Sequence, residues 1–158
     1  MPTMEERKKM IQKIRSLPEM LEATIQGLND AQLDTPYRDG GWTVRQVVHH
    51  ICDSHMNAFL RFKWMLTEEN PKIKTYNQDT WATSPEYALP VFESLHLIRG
   101  LHERWAMMLE TVDEKGWNRT AEHPENGTVT IDRMLLIYSN HGEKHCGHIQ
   151  SLRDRLHW

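Results

Sequence analysis

Apolar residues recur at intervals of three and four along most of the chain, a pattern that predicts long amphipathic helices. The first helix begins at a capping box formed by Thr3 and Glu6. Pro18 interrupts its pattern, so we expect this helix to be kinked or split there before it continues to about Leu28. The dipeptide Asn29-Asp30 then predicts a turn.

A second helix is predicted to begin at Thr43, where Gln46 completes another capping box, and to end in residues 68–71. The loop before it, residues 36–41, reads PYRDGG and is rich in turn formers. Residues 71–90 show no clean period. They predict a long crossover that contains one short helix, and long ordered loops in compact domains are often functional.

A third helix is predicted over roughly residues 90–112, and a last one follows the cap residue Thr130 almost to the end of the chain. Between them, the pair Asn126-Gly127 predicts a small β-hairpin within residues 117–130. No repeat or linker interrupts the sequence. We therefore predict an all-α fold in one domain over residues 1–158, an up-down four-helix bundle with a long crossover.

The composition of the chain excludes several classes of function. The chain has 158 residues, of which 39% are hydrophobic and 26% charged, as in a globular protein with a real core. A formal net charge of -3 argues against nucleic acid as a partner. The two cysteines are too few for a disulfide framework, and no apolar run resembles a signal peptide or a membrane span. We expect a cytoplasmic protein without a membrane partner.

Histidine is the residue type that needs a special reason, because ten are present. Along the last helix, one predicted bundle-facing stripe alternates spacings of three and four and contains three histidines: Ile131, Met134, Tyr138, His141, His145, His148 and Leu152. His141 and His145 are one turn apart, so their rings can point at one centre. A solvent-facing stripe is the alternative. Burying imidazoles without partners is costly, which favours a metal site.

The second helix offers further ligands. His49 and His50 are adjacent and point about 100° apart, so only one of them can easily join the site, and spacing alone does not choose. His55 lies on the side of the helix that carries its apolar valines. Asp53 and Asn57 continue the His50 face. They are candidates for supporting the ligands or facing a substrate, and the alternative is that both are simple solvated residues.

The remaining reactive side chains have plainer explanations. Cys52 and Cys146 lie within helices beside the histidine face, where a cysteine usually acts as a small core hydrophobe rather than a nucleophile. Four histidines have no convergent partner in the sequence pattern and are predicted to be surface residues: His96, His102, His123 and His157.

The segment QLDTPYRDGGWTVRQVVHHICDSHMNAFLRFKWMLTEENP, together with HGEKHCGHI, closely resembles the YfiT branch of the DinB-like proteins. The resemblance extends from the first helix onward. It implies a four-helix bundle, usually a homodimer, in a family described as metal-dependent hydrolases with one member assigned as a bacillithiol S-transferase. It also implies that His50, His141 and His145 bind the metal, and that His148 supports the site without binding it. The family pattern has extra histidines where this chain has Glu143 and Lys144.

These observations predict a metal-dependent enzyme with one divalent ion per chain, zinc by preference and nickel as the alternative. Three histidines leave a coordination position open, and a metal lowers the pKa of a water or thiol bound there. The reaction is then hydrolysis or the transfer of a low-molecular-weight thiol, and the substrate is a small molecule. The catalytic groups beyond the metal ligands stay unassigned. A non-catalytic metal-binding or stress-response module, with a fourth protein ligand, is the alternative.

Overall fold

Four long helices form the body of the molecule, and the computed structural model describes all residues, 1–158. In chain order the elements are α1 (Met4–Ile25), α2 (Asp30–Leu33), α3 (Val44–Thr67), α4 (Gln78–Trp81), a 3-10 turn (Pro85–Ala88), α5 (Phe92–Glu110), α6 (Glu114–Trp117), β1 (Thr120–His123), β2 (Gly127–Thr130) and α7 (Ile131–Leu156). The predicted four-helix bundle and hairpin are confirmed. The crossover contains two short helical segments rather than one.

Local capping chemistry sets where the helices begin. Both predicted capping boxes are present, at Thr3 with Glu6 and at Thr43 with Gln46. The backbone N–H of Arg133 donates to the Thr130 hydroxyl at the start of α7. Because Thr130 is also the last residue of β2, the hairpin delivers the chain directly into α7.

The first helix is continuous through Pro18 to Ile25, so of the predicted kink or split the split was wrong. Proline has no N–H with which to bond the carbonyl of the residue four positions earlier, which here is Ile14. That carbonyl instead accepts a hydrogen bond from His102 of α5. A tertiary contact thus satisfies the acceptor that the proline leaves free, and the helix persists. It ends before the predicted Leu28, near Gly27, which has a φ of +80°.

The order of the helices around the bundle is α1, α5, α3, α7, so α1 and α3 occupy opposite corners. Helices α3 and α5 run parallel, since His49 bonds to Ser94 and His55 bonds to His102 further along both helices. A strictly alternating up-down order is therefore not what the structure has. The reason is the crossover, residues 68–91, which returns the chain along the roughly 36 Å length of a 24-residue helix before α5 begins.

The core that supports the site lies where α7 packs closely against α1. A Cβ atom added to Gly142 would collide with the side chain of Leu17, so a larger residue there would force Leu17 to move. Gly142 directly follows His141, so this close approach lies beside one of the predicted metal ligands. No helix in the structure combines the length and the apolar character needed to cross a lipid bilayer.

Candidate metal centre

Three histidines from two neighbouring helices meet at one point between α3 and α7. One nitrogen from each of His50, His141 and His145 lies within 4.8 Å of the other two. The ring centroid of His50 lies 5.4 Å from that of His141 and 5.0 Å from that of His145. The antiparallel packing of α3 on α7 brings together residues that are about 90 positions apart in the sequence. The structure therefore assembles the three residues predicted as metal ligands.

The neighbouring histidine, His49, faces another way. Its Nδ1 lies 2.7 Å from the hydroxyl of Ser94 and its Nε2 lies 3.0 Å from the carbonyl of Leu89. Both ring nitrogens are thus engaged on the side of α3 that faces α5 and the end of the crossover. The geometry answers the question that spacing left open, because only His50 has its ring at the three-histidine cluster.

Burial keeps the three imidazoles neutral, which is the form that binds a metal. It lowers the pKa of His50 to about 3, with a further contribution from His145. It lowers the pKa of His145 to about 3, assisted by His141, His148 and Lys144. The pKa of His141 falls to about 4, again chiefly through burial. A nearby carboxylate would raise these pKa values, and none is among the causes of the shifts.

A row of hydrogen bonds runs inward from His141. Its Nδ1 lies 3.1 Å from Nε2 of His55, and Nδ1 of His55 lies 2.9 Å from Nε2 of His102. The last member, His102, reaches the Ile14 carbonyl through its Nδ1 at 2.5 Å. We call His102, His55 and His141 the histidine relay. It crosses the bundle from α1, through α5 and α3, to the metal centre on α7.

The carbonyl of Ile14 assigns the protons throughout this relay. A carbonyl oxygen only accepts, so Nδ1 of His102 carries the hydrogen and its Nε2 is an acceptor. His55 must then donate from Nδ1 and accept at Nε2. His141 in turn donates from Nδ1, which leaves the lone pair on its Nε2 directed at the cluster. Such outer hydrogen bonds orient metal-binding histidines in many proteins.

The donor set fits a divalent metal. The Nε2 atoms of His141 and His145 are 3.2 Å apart, and two nitrogens that share a tetrahedral zinc lie about 3.3 Å apart. Neutral imidazoles are ligands that suit a borderline cation such as zinc or nickel. Each of the three rings has one nitrogen at the cluster, so the set provides three such ligands.

A pocket of about 660 Å³ opens beside the cluster, a volume typical of small-molecule sites. The indole of Trp42 lies against His50, with ring centroids 4.5 Å apart. Tyr37 stacks on His148 at 4.9 Å. Two cationic side chains, Arg38 and Lys144, also line the pocket, together with other polar groups: Gln78, Asp79 and Ser151.

Of the other three residues predicted near the site, only His148 lines the pocket. Its ring centroid is 5.5 Å from that of His145. Asp53 does not line it: its carboxylate accepts a 2.7 Å hydrogen bond from Tyr87, and burial raises the pKa of that carboxyl. The side chain of Asn57 donates to the backbone carbonyl of Asp53.

Sequence reasoning missed two parts of this centre. His102 was expected on the surface, yet it has no exposed area, because its partners come from α1 and α3 and cannot be seen in the periodicity of α5. The loop of residues 36–41 was predicted only as a turn, although it supplies Tyr37 and Arg38 to the pocket. The signal available for that loop was its position directly before the helix that carries His50. Cys52 and Cys146 are buried as predicted.

Known proteins share both the fold and much of the sequence. The model of the DinB superfamily matches residues 13–149. The chain belongs to the DinB superfamily. A relative from Bacillus mycoides (strain KBAB4) is 48% identical over 150 residues, which cover 95% of this chain and 87% of that protein. A relative from Oceanobacillus iheyensis is 49% identical over 148 residues, covering 94% and 86%. Both bear the name "Putative metal-dependent hydrolase".

A solved structure agrees over the full length. YfiT from Bacillus subtilis is described as a probable metal-dependent hydrolase with an unusual four-helix bundle topology. It matches with a TM-score of 0.97 and 40% identity, and the match covers 100% of this chain and 91% of that one. The helix order found here, with α1 and α3 at opposite corners, is one concrete departure from a simple bundle.

The buried histidines should make the metal-free protein sensitive to acid. Burial lowers the pKa of His50 to about 3 and that of His102 to about 4, whereas unfolded histidine titrates near 6.5. The unfolded state therefore binds more protons below pH 6.5, and stability falls as the pH drops from there towards the folded values. Each such histidine costs on the order of 2 kcal/mol by about pH 5.

Urea unfolding of the chelator-treated protein at several pH values from 7.5 down to 5 measures this effect. His102→Leu should make the free energy of unfolding less dependent on pH, whereas replacement of the exposed His96 by glutamine should not. A free energy of unfolding that is constant between pH 7 and 5 would contradict the burial of neutral imidazoles.

Proposed function

We propose that this protein is a metal-dependent enzyme that acts on a small molecule in the pocket beside His50, His141 and His145, and that it transfers a low-molecular-weight thiol to an electrophile. The observation that carries the proposal is the pocket lining. Neutral imidazoles and two cations surround it, and its one carboxylate, that of Asp79, belongs to an exposed residue. Such a lining suits an anionic nucleophile better than general-base activation of water.

A metal held by the three imidazoles supplies Lewis acidity, which lowers the pKa of a coordinated water or thiol to near neutrality. The side chains around it perform the other tasks. The histidine relay presents Nε2 of His141, and Trp42 packs against the ring of His50. Lys144 and Arg38 are placed to attract a substrate that carries negative charge.

In the proposed reaction the thiol releases its proton to solvent, and its sulfur forms a bond to the electrophilic carbon. The bond between that carbon and the leaving group breaks, and the leaving group departs with the electron pair of that bond. Bacillithiol is the thiol that the resemblance to the YfiT branch suggests. Zinc is the proposed metal and nickel the alternative. A homodimer is also proposed on the strength of the resemblance, and light scattering would test it.

Hydrolysis is the second candidate, and the names of the relatives favour it. In that case water replaces the thiol as nucleophile in the same pocket. A non-catalytic metal-binding module is supported less well, because a closed coordination sphere would need a fourth ligand and the cluster has three members.

We expect about one divalent metal per chain, and metal and activity should be lost together on acidification. Histidine ligands must be neutral to bind, and both burial and metal binding compete with protonation, so the midpoint should lie below the free value of about 6.5. Elemental analysis and rate measurements on the same samples, from acid to neutral pH, check both points. The assays should run several thiols with electrophiles beside a panel of hydrolase substrates.

Three results would count against the proposal. Activity that persists after the metal has gone would make the metal structural. Absence of stoichiometric metal after reconstitution would show that the three histidines do not form a metal centre. Turnover of hydrolase substrates without thiol conjugation would favour the second candidate over the first.

A further inference from the structure

Arg61 differs from the other buried arginines of the chain in having no acidic partner. Three arginines are buried: Arg7 with 3% of its surface exposed, Arg45 with 8% and Arg61 with 7%. Arg7 donates to both carboxylate oxygens of Asp132, at 2.8 and 2.9 Å. Arg45 is likewise paired, with two aspartates. The fold thus neutralises two of its three buried guanidinium groups with acids of its own.

The guanidinium of Arg61 donates only to neutral oxygens. Its Nη1 bonds to the hydroxyl of Tyr138 at 2.7 Å, and its Nη2 bonds to the backbone carbonyl of Lys74 at 2.9 Å. No carboxylate oxygen of the protein lies within 4.0 Å of its nitrogens. Burying a charge without a counter-charge is costly, so a missing anion is the simplest explanation for its position.

A cavity of about 360 Å³ lies beside this group, between the hairpin and the first turns of α7. Its charged or titratable lining residues are Arg61, Arg133, His123 and Tyr138, and no aspartate or glutamate lines it. Asn126 and Thr128 add neutral polar groups. Of the two acids in the hairpin, Glu122 accepts hydrogen bonds from Asn70 and Thr128 at the exposed edge, and Glu125 is exposed in the turn. The cavity is therefore cationic on balance.

We propose that this cavity is a binding site for a small organic carboxylate, which pairs with Arg61. A guanidinium has five N–H donors in a planar fork, and two of its hydrogen bonds here are made by protein oxygens. The donors that remain match the planar, singly charged carboxylate. Arg133, whose side chain is exposed at the mouth of the cavity, supplies a second positive charge that attracts the ligand.

This site is separate from the metal centre. The cavity and the pocket beside the three histidines have no lining residue in common. Tyr138 stands between them: its hydroxyl bonds to Arg61, and its ring centroid is 6.1 Å from that of His141. Carboxylate binding is therefore expected with or without metal, which makes it independent of the proposed catalytic function.

The test is a titration of the purified protein, metal-free and metal-loaded, with acetate, succinate and glutarate, and with inorganic phosphate and chloride as comparison anions. Calorimetry gives the affinity, and amide chemical shifts of the hairpin and of the start of α7 locate the site. Arg61→Met should weaken carboxylate binding by about tenfold or more, the size expected for a lost charge-assisted pair. Arg61→Lys should restore only part of it, since the fork is lost.

Two further variants keep the result interpretable. Arg133→Gln changes an exposed residue, so the fold should survive and binding should weaken severalfold. Arg7→Met removes a buried arginine whose charge is already paired with Asp132, so it should leave carboxylate affinity unchanged even if it lowers stability. The proposal is overturned if no carboxylate binds saturably at millimolar concentration or if Arg61→Met and Arg133→Gln bind as the parent does. Tighter binding of phosphate than of any carboxylate would overturn the assigned ligand class.

Discussion

Replacement of His50 by alanine is expected to abolish stoichiometric metal binding, whereas the same replacement of His49 should leave it intact. The two residues are adjacent on α3, but only His50 places a ring nitrogen within 4.8 Å of nitrogens from His141 and His145. His49 instead bonds to Ser94 and to the carbonyl of Leu89. Removing one of three ligands should cost more affinity than the ~10–100-fold typical of losing an outer hydrogen bond to a ligand.

Competition titration against a chromophoric chelator measures the two affinities directly. His49→Ala serves as the matched control, because it removes an equally buried imidazole, 6% exposed against 2% for His50. It should lower the free energy of unfolding through its lost hydrogen bonds while metal stoichiometry stays near one. Equal losses of metal in the two variants would show that α3 does not present the face described here.

The second large effect is expected at a residue that does not touch the metal. His102→Leu should weaken metal binding by about 10–100-fold. His102 is the member of the histidine relay that bonds to the Ile14 carbonyl, and this acceptor is what assigns the proton positions of His55 and His141. Without it, His141 can place its hydrogen on either nitrogen, and part of the population then presents N–H to the metal instead of a lone pair.

Nitrogen-15 spectra of the metal-free protein give a readout that a purely structural role would not change. The parent should show His102, His55 and His141 with hydrogen on Nδ1, and His102→Leu should give a mixture of tautomers at His141. Pro18→Ala restores a helical N–H that competes for the Ile14 carbonyl, so a smaller change in the same direction is expected. His49→Phe, which lies outside the relay, should alter neither tautomer nor affinity. An unchanged tautomer and affinity in His102→Leu would refute the role of the relay.

Much of the fold and part of the site could be predicted from local sequence. The capping boxes at Thr3 and Thr43 depend on residues three positions apart, and the structure has both. The hairpin followed from Asn126-Gly127. His141 and His145 are one helical turn apart, so their convergence on one face is a property of α7 alone. These features could be predicted from the sequence because each depends on neighbouring residues within a single element.

Other features depended on which helices meet. The spacing did not determine whether His49 or His50 is the metal ligand on α3, and the family resemblance indicated His50. The packing of α3 on α7 places His50 at the cluster. The periodicity of α5 predicts a surface position for His102, but α5 lies between α1 and α3, and His102 is buried there. Pro18 looked like a break, but the carbonyl that it frees has a partner on α5.

The sequence by itself determined the helices, their starting points and the histidine pair on α7, because hydrogen bonds and apolar contacts within four residues control them. The tertiary structure decided the parallel run of α3 and α5, the histidine relay and the unpaired charge of Arg61. The physical reason is common to all three. A side chain's partner across the bundle is fixed by the order and direction of the helices, and periodicity within one helix carries no information about either.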